Sequence, residues 1–220
     1  MKRLLIFLVF LPLISCNTVE QQETKDWQTL TIGRYSFEFP ADFKLIEEVE
    51  VDSYVGRVEG DSISFFFDYG EYSNDLALTP EQYLEDSTWV RNASYQFMEN
   101  GKTYNVDKLP KVEVLSMRKA NFQDSLQWKG SDYVARGRHE KYVFDFPIYL
   151  PEETKEHDIS IDTIGNQYRK IVKAKNPKKG ITGIYIKPLN SDKALSMVAD
   201  SLTKTQQDLV AKILSTVSVK

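Results

Sequence analysis

Few side chains in this chain are equipped for bond-making chemistry. Its 220 residues hold one cysteine, Cys16, and two histidines, His139 and His157. That count excludes a Cys-His nucleophile or a His-rich metal site. A serine hydrolase needs an imidazole beside a serine and an oriented carboxylate, and no Gly-x-Ser-x-Gly elbow, phosphate loop or zinc-protease helix occurs. His139 lies in the polar bend Arg136-Gly137-Arg138-His139-Glu140, and His157 follows an acidic turn, where it is expected to be solvated. Two features remain. One is the Cys16 thiol, nucleophilic as its thiolate. The other is Ser64-Phe65-Phe66-Phe67-Asp68-Tyr69-Gly70-Glu71-Tyr72. On a strand, Phe65 and Phe67 share one face while Phe66 and Asp68 share the other. With one face in the core, the second presents aromatic surface near Asp68 and Glu71, with Asp52 on the neighbouring hairpin strand. Hard oxygen donors of this kind suit a polar ligand or a calcium ion. Asp52, Asp68 and Glu71 are therefore the candidate ligand-binding residues; no resident cofactor or metal is expected. The competing expectation is that helices cover both faces. Lys170, Lys173, Lys175, Lys178 and Lys179 form a basic group that suits either a solvated hairpin tip or anionic headgroups, at ~1 kcal/mol per lysine.

The setting of Cys16 gives its thiol a task. Met1-Lys2-Arg3 supply a positive start, residues 4–14 form an apolar run of about 11 residues, and Ser15 precedes the cysteine, the layout of a secretory signal peptide. The run is short of the ~20 residues that cross a bilayer as a helix. Leu13-Ile14-Ser15-Cys16 resembles the lipobox of bacterial lipoproteins. The resemblance implies cleavage before Cys16, a thioether to a diacylglyceryl group and acylation of the new amino terminus. Several acyl chains at ~0.8 kcal/mol per buried CH₂ anchor a protein stably where one does not. Asn17 is not the aspartate associated with inner-membrane retention, so the same resemblance implies the outer membrane of the cell envelope. Residues 1–15 are the expected signal peptide, and residues 16–26, almost wholly polar after the cysteine, read as the lipidated cysteine and a flexible tether.

The elements that would position the candidate residues begin at Trp27. Residues 28–32 and 35–39 alternate apolar and polar across Gly33-Arg34, and residues 52–58 and 62–69 do so across Glu59-Gly60-Asp61, which predicts two hairpins. Thr79-Pro80-Glu81-Gln82 places a cap and a first-turn proline ahead of Tyr83, Leu84, Ser87, Val90, Ser94 and Phe97. That stripe predicts a long helix ending at Gly101. Residues 111–119, 133–137, 140–150, 159–164, 168–174 and 181–188 predict a meandering antiparallel sheet. Residues 193–200 are ambiguous in period and read as a further strand. Thr203 and Gln206 make a capping box for a final helix with Leu209, Val210, Ile213 and Leu214 on one face.

An opening hairpin with a Phe37-Glu38-Phe39-Pro40 edge, a long helix, many antiparallel strands and a last helix running into Lys212-Ile213-Leu214-Ser215-Thr216-Val217 together resemble the PsbP-like fold. The resemblance implies an α+β domain over residues 27–220, an antiparallel sheet with helices packed on its faces, and brings no site motif. Removal of Lys2 and Arg3 with the signal leaves 26 basic against 32 acidic side chains, a balance of −6. Nucleic acid needs a concentrated basic face and is not an expected partner. The expected protein is a non-enzymatic binding or accessory module, held to the membrane by its lipid and meeting an envelope protein partner. The alternative is a ligand-binding lipoprotein or weak hydrolase using the Asp68 region.

Overall fold

In the computed structural model the described residues are 26–48, 52–60, 62–86, 94–99, 102–107 and 112–220. Residues 1–25, and with them the expected signal peptide, Cys16 and most of the tether, lie outside them. The described chain is a β-rich fold, mostly antiparallel strands with few helical residues. Its strands are β1 (Trp27–Ile32), β2 (Tyr35–Pro40), β3 (Lys44–Glu48), β4 (Tyr54–Glu59), β5 (Ser64–Gly70), β6 (Ser94–Glu99), β7 (Lys102–Asp107), β8 (Glu113–Lys119), β9 (Tyr133–His139), β10 (Tyr142–Ile148), β11 (His157–Ile164), β12 (Gln167–Ala174), β13 (Ile181–Pro188), β14 (Ala194–Asp200) and β15 (Ser218–Val219). The helices are α1 (Pro80–Glu85), α2 (Phe122–Gln127), α3 (Glu152–Lys155) and α4 (Lys204–Ser215).

The dominant layer is a seven-stranded antiparallel sheet in the order β11-β12-β13-β14-β5-β4-β3. Period-two alternation decides its faces. Phe65 and Phe67 are fully buried while Phe66, between them, is about half exposed at 48%. The buried face joins Ile184 and Ile186 of β13 and Leu195 and Met197 of β14, and meets Tyr35, Phe37 and Phe39 of β2. Phe39 stands edge-on to Phe65, ring centroids 5.5 Å apart. β2 belongs to a second sheet, β1-β2-β15, and α4 closes the same core with Val210, Ile213 and Leu214. Gly33, at φ +57°, turns β1 into β2 where a side chain would also strike the Tyr69 ring. Both facts demand glycine.

A smaller layer, β10-β9-β8, has its own apolar cluster of Ala135, Phe144, Phe146 and Ile148, against which Tyr83 and Leu84 of α1 pack. Residues 71–79 run as a strap from the end of β5 to α1.

This architecture corrects the expected α+β fold with helices packed on the sheet faces. One face of the main sheet is covered chiefly by another sheet, and among the described residues α4 alone is a long helix. The strap and α1 lie over part of the other face, where Gln82 Nε2 donates to the Tyr168 hydroxyl at 3.1 Å. The helices-on-faces layout implied by the PsbP-like resemblance is not what the chain adopts. The main source of the error is the helix expected to run to Gly101. Its start is as expected: the Thr79 side chain accepts the Gln82 amide, Gln82 caps the Thr79 amide in return, and Pro80 opens α1. But α1 stops at Glu85, and Ser94–Glu99 pairs as a strand with Lys102–Asp107, Glu99 opposite Lys102. Ser87 and Val90 lie outside the described residues. In the sequence these strands are separated by Asn100-Gly101, a strong local hairpin signal; those two positions lie outside the described residues, and strand β6 stands where the helix was expected.

Candidate functional site

The end of β5 and the start of the strap form one wall of an open cleft of about 490 Å³. Asp52, Ser53 and Tyr54 come from the approach to β4, Tyr69 and Gly70 from β5, Glu71 and Tyr72 from the strap, and Lys193 from the turn before β14. The register explains the gathering: Tyr54 lies opposite Tyr69, and Ala194 opposite Gly70. Three chain segments remote in sequence therefore end at one place.

Two of the three tyrosines are already committed. The Tyr54 ring packs on Phe67 with centroids 5.2 Å apart. Its hydroxyl donates to Glu47 Oε1 at 2.7 Å, and burial, with that carboxylate beside it, pushes its pKa up to about 12. Tyr69 meets Tyr35 edge-on at 6.2 Å. Tyr72 is different: its side chain stands 81% exposed. Among the described residues, no ion pair joins Lys193 to Asp52 or Glu71 across the cleft.

The strap is held by two anchors. Ser73 Oγ accepts the Gly70 amide at 2.9 Å and lies 3.0 Å from the carbonyls of both Asp68 and Ala194. Farther along, the fully buried Lys170 sends its ammonium into the strap, 2.9 Å from the Asp75 carbonyl, 3.2 Å from Asp75 Oδ2 and 3.3 Å from the Ala77 carbonyl. Between those carbonyls Leu76 takes φ +63°, with its amide donating to Asn74 Oδ1 at 2.7 Å. A branched residue in the left-handed region is strained, and the lysine clamp is what holds it there.

Of the candidate ligand residues, the structure brings Asp52 and Glu71 into this cleft but not Asp68. Asp68 points to the other face of β5, flanked across the ladders by Val55 and Ser196, and its Oδ1 is shut from solvent without a hydrogen-bond partner. The three carboxylates do not converge. Among the described residues no group of three or more histidine, cysteine, aspartate or glutamate side chains could hold a metal ion. The expectation of an aromatic second face is met only by Phe66.

Two further expectations are corrected. His157 is buried, not solvated: its Nε2 accepts the Ile181 amide at 3.2 Å, so Nδ1 carries the proton and donates to the Glu153 carbonyl at 2.7 Å. With both ring nitrogens occupied in the fold, it is placed as a brace and not as a general base. The basic group around β12 is likewise dispersed. Lys170 is buried, Lys175 Nζ donates to the Lys155 carbonyl, and Lys173 lies 3.8 Å from Asp208, which leaves Lys178 and Lys179 exposed at the tip.

A second cleft, lined by Val112, Glu113, Arg138 and Glu140, offers less. Its guanidinium is already spent on Glu113 Oε2, at 2.6 and 3.0 Å. Sequence reasoning missed Lys193 and the anchoring by Lys170 and Ser73. Among the described residues no helix is long and apolar enough to cross a membrane. Compared with known proteins, the chain matches no family model and no curated protein.

Proposed function

We propose that this is a lipid-anchored envelope protein whose β-rich domain is a non-enzymatic binding module, with the cleft at Glu71, Tyr72, Asp52 and Lys193 as its ligand site. The observation that carries the binding reading is that cleft: an exposed aromatic ring and a carboxylate at the start of a strap anchored at Ser73 and at Asp75, beside a second carboxylate and an ammonium from other segments, with no ion pair among them. Such preorganisation lowers the ordering cost of binding. No imidazole lines the cleft, so the side chains there suit recognition better than proton transfer. The anchoring is supported by Leu13-Ile14-Ser15-Cys16 and its flanks, and outer-membrane residence by Asn17.

A fragment screen by ligand-observed NMR tests the binding reading. Hits whose signal is lost in Tyr72→Ala but kept in Arg138→Ala are the expected result. Hits indifferent to Tyr72 would defeat it. Labelling cells with an alkyne palmitate tests the anchor: the wild type should be tagged and retained in the membrane fraction, and Cys16→Ser should lose both. Equal labelling of the two would end the lipoprotein assignment.

A further inference from the structure

Resting on the cleft as a ligand site, we propose that its ligand is a saccharide. The lining excludes the simpler chemistries in turn. An anion would face Asp52 and Glu71 with only Lys193 to offset them, and the cleft has no arginine fork for a carboxylate or phosphate. An organic cation is normally held by several aromatic faces arranged as a cage. Here Tyr54 is packed on Phe67 and Tyr69 is set edge-on to Tyr35, so Tyr72 alone offers an unstacked face, with an ammonium in the same cleft.

One free ring beside acceptors and a donor is the complement of a pyranose. The sugar's C–H face is apolar enough to stack on Tyr72. Its vicinal hydroxyls both donate and accept, so they can donate hydrogen bonds to Asp52 and Glu71 and accept one from Lys193. The volume, about 490 Å³, lies within the ~300–1,000 Å³ usual for small-molecule sites. Because the cleft is open at the sheet end, a chain of sugars can enter from the side without being enclosed.

Lys170 enters this proposal as a positioning residue. It never touches the cleft, yet its ammonium gathers the Asp75 and Ala77 carbonyls that fix the strap carrying Glu71 and Tyr72. Loss of the clamp should weaken binding through disorder of that strap, whereas loss of Tyr72 removes the stacking face itself.

Saturation-transfer NMR on the full chain in detergent micelles tests the assignment, with maltotriose and chitotriose as saccharide probes and spermidine and inorganic phosphate as charged controls. Phosphate is followed by ³¹P line broadening. The expected result is transfer to the sugar ring protons of at least one saccharide. Its affinity should fall at least tenfold in Tyr72→Ala and in Glu71→Gln and several-fold in Lys170→Met, and should be unchanged in Arg138→Ala. A probe response confined to spermidine or phosphate and abolished by Tyr72→Ala would overturn the saccharide class and leave the cleft as a site. Saccharide transfer that survives both Tyr72→Ala and Glu71→Gln would overturn the proposal and the cleft together. Silence from all four probes overturns the saccharide assignment, and the fragment screen then judges the cleft alone.

Discussion

Lys170 shows how much geometry a single side chain can govern. A lysine amine is rarely fully buried unless its donors are met, and this one is met by two carbonyls and the exposed Asp75 carboxylate. Lys170→Met keeps most of the volume but strands those carbonyls. The expected loss is about 1–3 kcal/mol in urea unfolding, with faster amide exchange across residues 71–79; unchanged exchange there would show that the strap needs no clamp. Tyr35 makes a comparable link between sheets. Its buried hydroxyl donates to Gln167 Oε1 at 3.0 Å, and burial lifts its pKa to about 12. Tyr35→Phe should cost about 1–3 kcal/mol because the Gln167 acceptor is left unmet. At Asp124 the effect is one of pH. Hydrogen bonds from Arg118 and from the Asn121 amide hold its carboxyl at about 2. A folded pKa below the unfolded one means that its contribution is complete above about pH 4 and is lost as pH falls toward 2. Protection factors of the amides at 122–127, corrected for the intrinsic pH dependence of exchange, should therefore fall between pH 4 and pH 2.5, and Arg118→Gln should weaken that dependence.

At the scale of elements, α4 is the one long helix among the described residues, and its sequence signals are the clearest. Thr203 accepts the Gln206 amide, and Gln206 Oε1 accepts the Thr203 amide at 2.7 Å. Ile213 is fully buried, so Ile213→Ala should cost about 2–5 kcal/mol, and Thr203→Ala about 1 kcal/mol for the cap. Lys212 sits 4.3 Å from the centre of the Trp27 ring, which makes Lys212→Ala a loss of about 0.5–1 kcal/mol. Unfolding midpoints that fail to follow this order would contradict the packing of α4 on the sheets. Local signals made other elements legible too: Ile181–Pro188 is a strand with the expected bounds, and Ala194–Asp200 took the strand reading that its hairpin with β13 favoured. The long helix failed because a 3.6-residue stripe was allowed to outweigh Asn100-Gly101. α2 was missed although Asn121 and Asp124 form a capping box, because its exposed Phe122 and Leu126 give no apolar face to read.

Across the whole molecule, what could not be read is what depends on distant pairing. The order of the main sheet places β14 against β5, so that Lys193, next to Ala194, arrives beside Gly70 and Glu71. No periodicity reports that contact, which rests on the shared burial of Phe67 and Met197 on one face and on Ser73 bonding the Ala194 carbonyl. Asp52 and Glu71 were legible because they flank one hairpin. Asp68 was rightly placed with Phe66 on the second face of β5; what did not follow is that Asp52 and Glu71 would join it there, since they gather at the strand's end. The proposed ligand site is the cleft beside Tyr72, where the protein would meet its ligand in the envelope. Hydroxyl-radical footprinting of cells against the purified full chain tests it most directly. Tyr72, 81% exposed in the free protein, should be modified several-fold more slowly in native envelopes, while Tyr149, 46% exposed and away from the cleft, serves as the reference. Equal modification of Tyr72 in both settings, relative to Tyr149, would contradict the claim.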